Sequence, residues 1–100
     1  MTVTKEKSGD VLKVTIDGEL NIKTAPQLKE ELTGELDDVM EVYFDLAGVS
    51  YTSSAGLRVI LGVYQELDEK DGRMVLRNVN ESFMEILEVT GFTDFIEIED

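Results

Sequence analysis

The sequence predicts an α/β protein in which helices pack on a mixed sheet. Some segments alternate apolar and polar residues, as strands do, and others carry apolar residues every three or four positions, as helices do. The two kinds of segment follow one another along the chain. One nearly continuous apolar run lies between them and is typical of a central strand. With 100 residues and 42% hydrophobic content, the chain can build one core, so we expect residues 1–100 to form a single domain.

The first two elements are predicted to form an antiparallel hairpin. Residues 3–7 and 11–16 flank the turn sequence Ser8-Gly9-Asp10. The second segment alternates apolar and polar side chains from Leu12 to Ile16, which indicates a strand with one buried face.

A helix is predicted to follow the hairpin. Thr24 is the expected N-cap, Pro26 suits the first turn, and Gln27 lies three residues after the cap, as in a capping box. Leucines at a spacing of four residues carry the predicted helix to about Leu36, and this spacing indicates a stripe packed on the sheet.

The rest of the chain alternates between strands and helices. The remaining predicted elements are a central strand over 42–46 covered on both faces, a helix from Ser54 to about Lys70, a strand over 73–77, a helix between Asn80 and Gly91, and a last strand over 95–98. The order is therefore β-β-α-β-α-β-α-β, which implies a mixed sheet with helices packed against it.

Charge excludes several classes of partner. The chain carries 22 Asp and Glu against 9 Lys and Arg, a net charge of -13. Such a field repels phosphate backbones and anionic lipid surfaces, so neither nucleic acid nor a membrane is expected as a partner. Because no apolar run is long enough to cross a membrane and the N-terminus leads straight into a strand, we expect a cytoplasmic protein.

The residue types that perform most acid–base and nucleophilic chemistry are missing. The sequence has no His and no Cys, and its glycines are not followed by the Lys-Ser/Thr of a phosphate-binding loop. Acidic pairs such as Asp37-Asp38 and Asp68-Glu69 lie in predicted turns or helix ends, where solvated charge is typical. We therefore predict a binding protein rather than an enzyme, with no catalytic residue, cofactor or metal site.

A cluster of hydroxyl groups lies between the predicted central strand and the second helix. It consists of Ser50, Tyr51, Thr52, Ser53 and Ser54. One hydroxyl is needed as the N-cap of the helix, but this requirement does not explain the whole cluster. Because helix N-termini favour anions, an exposed serine at the helix start could also accept a phosphoryl group.

This cluster belongs to a segment that resembles a known family. The run Asp45-Leu46-x-x-Val49-x-Tyr51-x-Ser53-Ser54-Ala55-Gly56-Leu57, with Gly18-Glu19-Leu20-Asn21 upstream, is similar to the STAS domain of bacterial anti-sigma factor antagonists. The order of elements resembles that family over nearly the full chain, which implies a STAS-type mixed sheet.

The sequence departs from the family's usual pattern in three ways. Ser53 stands where relatives often have Asp, which makes it a second candidate for modification, and Asn21 replaces an acidic residue. Many relatives continue into a C-terminal helix after the last strand, and the expected fold of residues 1–100 contains no such helix.

The resemblance implies a regulatory role. In that family a serine kinase that is also an anti-sigma factor phosphorylates the serine two residues before Gly-Leu, which is Ser54 here. The unphosphorylated antagonist binds the anti-sigma factor and frees the sigma factor, and phosphorylation breaks the complex. An anti-sigma factor kinase and a phosphatase are thus the implied partners. A phosphate changes the net charge little, so it must act at a local contact surface centred on Ser54. The expected partner-binding residues are Asn21, Ile22, Lys23, Thr52, Ser53, Ser54, Ala55, Gly56 and Arg58.

Two other functions are compatible with the sequence. One is a STAS scaffold or transport-complex subunit that does not switch, since the same fold serves several functions. The other is a small-ligand sensor or enzyme that uses the hydroxyl cluster as an anion pocket. No His, Cys or Lys lies inside the cluster to activate a nucleophile, which argues against the second.

Overall fold

The structure is a computed structural model that describes residues 1–99, so Asp100 of the predicted domain lies outside the described residues. The strands of residues 1–99 are β1 (Thr2–Ser8), β2 (Val11–Asp17), β3 (Glu41–Gly48), β4 (Arg73–Arg77) and β5 (Glu97–Glu99). The helices of this part of the chain are α1 (Ala25–Leu32), α2 (Ser54–Glu69), α3 (Glu81–Val89) and a 3₁₀ helix (Phe92–Asp94). No helix in this range is long and apolar enough to cross a membrane.

All five strands form one sheet in the order β1-β2-β3-β4-β5. The hairpin of β1 and β2 is antiparallel, and each later pair of neighbours is parallel. The pairing aligns four apolar residues across the sheet: Val14, Phe44, Leu76 and Ile98. The predicted mixed sheet and the predicted order of strands and helices are therefore confirmed.

The three helices pack on one face of the sheet. Each β-α-β crossover moves one strand in the same direction, and crossovers of this kind are right-handed, so α1, α2 and α3 lie on the same side. The core forms between that face and the helices. Its largest fully buried side chains include Leu28, Phe44, Ile60 and Phe83.

The prediction that β3 is covered on both faces is wrong. Residues on its other face are only half buried, namely Glu41, Tyr43 and Asp45. Long side chains cover that face instead of a helix. The guanidinium group of Arg77 lies 4.3 Å from the centre of the Tyr43 ring, and Val75, paired with Tyr43, is fully buried. An apolar strand can therefore be half covered by stacked arginine and tyrosine side chains.

The prediction that α1 continues to Leu36 is also wrong, because the helix ends at Leu32. Thr33 has extended backbone angles, and Gly34 takes a φ of 79°, which glycine adopts without strain. Leu36 is nevertheless buried in the core. The leucine spacing therefore predicted correctly that Leu36 contacts the core, although Leu36 lies beyond the end of the helix.

The predicted capping box of α1 does not form. Thr24 has nearly helical backbone angles, and its hydroxyl accepts the Asn21 N–H at 2.8 Å and donates to the Glu19 carbonyl at 2.7 Å. The Gln27 amide reaches back to the Met1 carbonyl at 3.0 Å. The side-chain oxygen of Asn21 accepts the Thr24 N–H at 3.1 Å, so Asn21 closes the turn that starts α1.

The last strand begins two residues later than predicted. Phe95 lies outside β5, and its ring packs against the rings of Tyr64 and Phe92 at centroid distances of 5.2 and 5.6 Å. Gly91, at a φ of 80°, ends α3 and leads into the 3₁₀ helix. Aromatic contacts with α2 therefore compete with strand formation at this position.

Candidate functional site

The three consecutive hydroxyls before and at the start of α2 have different environments. Thr52 is 1% exposed, and its hydroxyl donates to the Ser53 carbonyl at 3.1 Å. Ser53 is the N-cap of α2, and its side-chain oxygen accepts the Gly56 N–H at 3.4 Å. Ser54 is exposed, and its hydroxyl has no hydrogen-bond partner within residues 1–99. Of the three, Ser54 is the one most accessible to a modifying enzyme.

The electrostatics at Ser54 favour an anion. Ser54 is the first residue of a 16-residue helix whose first turn contains no acidic side chain. The N-terminal end of a helix carries a partial positive charge that stabilises a nearby phosphate. Arg58 is exposed one turn later on the same helical face.

A short bridge holds the loop of residues 20–23 against the start of α2. Leu20 and Thr52 form an isolated parallel β-bridge, and the Ser53 N–H donates to the Leu20 carbonyl at 3.0 Å. The structure thereby places Asn21, Ile22 and Lys23 beside the start of α2. Their role in binding a partner remains a prediction.

Gly56 makes the close approach of these two segments possible. A Cβ atom at position 56 would lie 2.5 Å from Cγ of Leu20 and 2.5 Å from Oγ1 of Thr52. Gly56 and Thr52 are both buried. These two members of the predicted partner-binding set therefore shape the surface from below, whereas Ile22, Lys23 and Arg58 are exposed on it.

Tyr51 is an exposed aromatic residue that the predicted set omits. It is 61% exposed, and Ile22 is 74% exposed at the loop beside the start of α2. Exposed tyrosines are enriched at protein interfaces. The signal in the sequence was the single aromatic residue within a run of small hydroxyl side chains.

Asn80 both caps α3 and holds the loop that precedes Ser54. Its side-chain oxygen accepts the Phe83 N–H at 2.8 Å, which confirms the predicted cap. Its side-chain nitrogen donates to the carbonyls of Val49 at 3.1 Å and Ser50 at 3.0 Å. The second role was missed because about 30 residues separate the partners in sequence.

We expect Asn80→Asp to keep the cap and release the loop. The carboxylate can still accept the Phe83 N–H, but it places an oxygen against the two loop carbonyls. Hydrogen exchange should therefore accelerate at residues 50–52. Asn80→Ala removes the cap as well and should lower the free energy of unfolding by about 1 to 2 kcal/mol in urea titrations. Unchanged exchange in the Asp variant would contradict this role.

Asp45 fixes the end of β3 at the start of the segment that resembles the family. Its carboxylate accepts a hydrogen bond from the Asn78 side chain at 2.9 Å and from the Ala47 N–H at 3.0 Å. Together these bonds hold the pKa of Asp45 below its usual 3.8, and the bond from Asn78 has the largest effect. Asn78 has a φ of 57°, which asparagine tolerates better than most residues.

We expect Asn78→Gly to raise the pKa of Asp45 toward 3.8, in an NMR titration of the carboxylate. Glycine accepts the positive φ at this position, so the change removes mainly the amide. Because the pKa of Asp45 is lower in the folded state than in the unfolded state, its ionised carboxylate stabilises the fold at pH values above the unfolded-state pKa. This stabilisation is lost as the pH falls through the folded-state pKa. The deficit of the variant should thus be larger at neutral pH than at about pH 2. An equal deficit at both would contradict the assignment.

The structure is an α/β domain with its helices on one face of the sheet, and α2, which follows the central strand, starts with a serine cap and an exposed serine. This arrangement agrees with the STAS-type fold that the resemblance implies. The STAS domain family model matches residues 2–100, and the chain belongs to this family. The anti-sigma-B factor antagonist of Listeria monocytogenes is 33% identical over 95 residues, which cover 94% of this chain and 83% of that protein.

Solved structures share the fold. A putative anti-sigma factor antagonist from Thermotoga maritima superimposes with a TM-score of 0.91 at 23% identity, over 98% of this chain and 86% of that one. The Bacillus cell fate determinant SpoIIAA in its phosphorylated form superimposes with a TM-score of 0.78 at 18% identity, over 99% and 92% of the two chains.

Proposed function

We propose that the protein is an anti-sigma factor antagonist that binds an anti-sigma factor while Ser54 is unmodified and is released when Ser54 is phosphorylated. The observation that carries the proposal is the exposed Ser54 hydroxyl at the positive end of α2, next to two hydroxyls that are buried or used as a cap. Relatives named anti-sigma-B factor antagonists support the role, and SpoIIAA is known in a phosphorylated form.

The partners follow from this role. An anti-sigma factor with serine kinase activity binds and modifies the protein, and a phosphatase reverses the modification. The protein is then a binding partner and a kinase substrate rather than an enzyme, and it needs no cofactor. It acts in the cytoplasm, where sigma factors direct transcription.

The phosphate acts locally. It adds about -1.5 to -2 charges at neutral pH, a small change beside a net charge of -13. A phosphate at a helix N-terminus is favoured by about 0.3 to 1 kcal/mol, so the domain stays folded. Release therefore comes from crowding and from burial of the dianion at the contact surface around Ser54, where Ile22 and Tyr51 are exposed.

The test uses the full chain in its unmodified and phosphorylated forms. Both forms are immobilised and exposed to lysate of the source organism, and retained proteins are identified by mass spectrometry. An anti-sigma factor should be retained by the unmodified form alone. Retention by both forms would indicate a scaffold that does not switch, and retention by neither would contradict the proposed function.

A further inference from the structure

A groove between α1 and α2 begins next to Ser54. Its volume is about 400 Å³, and its apolar lining consists of Leu32, Leu36, Ala55, Val59 and Val63. Ala55 and Val59 also line a shallower extension that reaches the exposed Ile22. The groove is therefore continuous with the surface around Ser54.

Gly62 lies in the middle of α2 and lines this groove. Glycine inside a helix costs about 0.5 to 1 kcal/mol relative to alanine. A Cβ atom at position 62 would meet no atom within 4 Å, in contrast to position 56. Packing within residues 1–99 thus does not require this glycine, whereas a partner that approaches the helix backbone closely would.

Two cations line the groove without a carboxylate partner. Lys29 and Arg58 form no ion pair within residues 1–99, although both lie in the groove wall. Four cations of this strongly acidic chain are paired with carboxylates, namely Lys5, Lys7, Arg73 and Arg77. Lys13, Lys23 and Lys70 are also in no ion pair within residues 1–99, but they do not line the groove. The groove therefore offers positive charge that the described part of the chain does not neutralise.

The groove is positive at one end and negative at the other. Because α1 and α2 each connect parallel strands, they run parallel, and their N-termini lie at the Ser54 end. Neither first turn contains an acidic residue. Arg58 lies about one turn after the start of α2, and Lys29, in the last turn of α1, lines the wall beside Ala55 and Val59. Glu66 lines the far end. An occupant with negative charge toward Ser54 is complementary to this pattern.

We propose that the groove receives an amphipathic α-helix of the anti-sigma factor, with the acidic C-terminal end of that helix at Ser54. From Ala55 to Glu66 the groove follows α2 for about 16 Å, which is roughly three helical turns. Apolar side chains on one face of a helix fill a groove of this kind. The inference rests on the proposed function and specifies the partner element.

This arrangement accounts for the effect of the phosphate. A helix C-terminus carries a partial negative charge, and acidic side chains there add to it. A phosphate on Ser54 introduces a dianion at the same end of the groove, so like charges repel where Lys29 and Arg58 previously attracted the partner.

The first test fills the groove. The anti-sigma factor retained in the capture experiment is purified, and its affinity is measured by calorimetry for the wild type, Gly62→Leu and the matched control Gln65→Leu. Gln65 is exposed on α2 and does not line the groove. Gly62→Leu should weaken binding roughly tenfold or more, whereas Gln65→Leu should bind as the wild type does. Thermal unfolding checks that Gly62→Leu is folded, which we expect because a Cβ atom at position 62 meets no atom within 4 Å.

The outcomes separate the two proposals. If the wild type binds the anti-sigma factor and Gly62→Leu binds it with the same affinity, the groove inference is overturned and the proposed function stands. Failure of the wild type to bind any anti-sigma factor overturns both.

The second test addresses charge. Lys29→Glu should weaken binding, and the wild-type affinity should fall with added salt. Lys13→Glu changes the net charge equally, but Lys13 is exposed on the face of the sheet opposite the helices, so it should have little effect. Equal losses in the two variants would show that net charge rather than the groove matters, which overturns the inference.

The third test identifies the occupant. The sequence contains no Cys, so Thr33→Cys provides one attachment point in the groove for a benzophenone cross-linker. The cross-linked peptide should come from an anti-sigma factor segment with apolar residues three and four apart and acidic residues at its C-terminal end. Cross-links to a second copy of this chain, or to a segment without that pattern, overturn the inference.

Discussion

Replacing Ser54 by aspartate is expected to weaken binding of the anti-sigma factor roughly a hundredfold, because like charges brought together at an interface cost several kcal/mol. The substitution places a carboxylate at the exposed first residue of α2, on the same surface as Ile22 and Tyr51. It should do so without unfolding the domain, since an acidic residue in the first turn of a helix is favourable. Calorimetry gives the affinity, and thermal unfolding shows that the fold is intact.

Ser82 provides the matched control for charge. It is an exposed serine in the first turn of α3, so Ser82→Asp adds the same charge in the same kind of helical position. Its affinity should equal that of the wild type. Equal weakening by Ser82→Asp would show that added charge anywhere on the surface releases the partner.

Ser54→Ala completes the series. It should bind the anti-sigma factor but accept no phosphate from the kinase, whereas the wild type should accept a single phosphate. Mass spectrometry locates the modified residue. A phosphate found on Ser53 or Thr52 would contradict the assignment. We expect neither, because Thr52 is buried and Ser53 caps the helix.

Two glycines of α2 are expected to respond to alanine in opposite directions. Gly56→Ala should lower the free energy of unfolding by about 1 to 3 kcal/mol, because its Cβ would lie 2.5 Å from both Leu20 and Thr52. Gly62→Ala should raise that free energy by about 0.5 to 1 kcal/mol, because its Cβ meets no atom within 4 Å. Urea unfolding of both variants measures the difference.

Gly56→Ala should also disturb the site itself. To admit the extra carbon, the Leu20 side chain or the bridge to Thr52 must move, and with it the loop that carries Asn21 to Lys23. We expect amide chemical shifts to change at residues 20–23 in Gly56→Ala and to stay constant there in Gly62→Ala. Stabilisation by both variants would show that the contacts at Gly56 relax freely.

Much of the fold could be predicted because local patterns determine it. Alternation over residues 11–16 and recurrence of apolar residues every three or four positions after Ser54 specify which face of each element is buried. The order of elements and the start of α2 follow from these periods and from serine and asparagine caps. The exact ends of α1 and β5 do not, because Gly34 and the contacts of Phe95 decide them.

The candidate site was predicted in part. The helical pattern placed Ser54 at the start of a helix, the resemblance made it the position of phosphorylation, and the expected contact surface grouped it with residues 21–23. The structure brings these residues together. Asn80 was not predicted as a holder of the loop, and Tyr51 was not assigned to the surface. The partners of Asn80 are distant in sequence, and the exposure of Tyr51 depends on how the loop is packed.

The sequence by itself determined the α/β class, the element order, the net charge and the presence of a hydroxyl cluster before a helix, because each depends on composition or on short-range spacing. Only the tertiary structure decided which face of the sheet stays open, which of three adjacent hydroxyls is exposed, and that α1 and α2 leave a groove beside Ser54. These features depend on contacts between residues far apart in the chain. Burial, hydrogen-bond partners and grooves are properties of such contacts, so no local pattern specifies them.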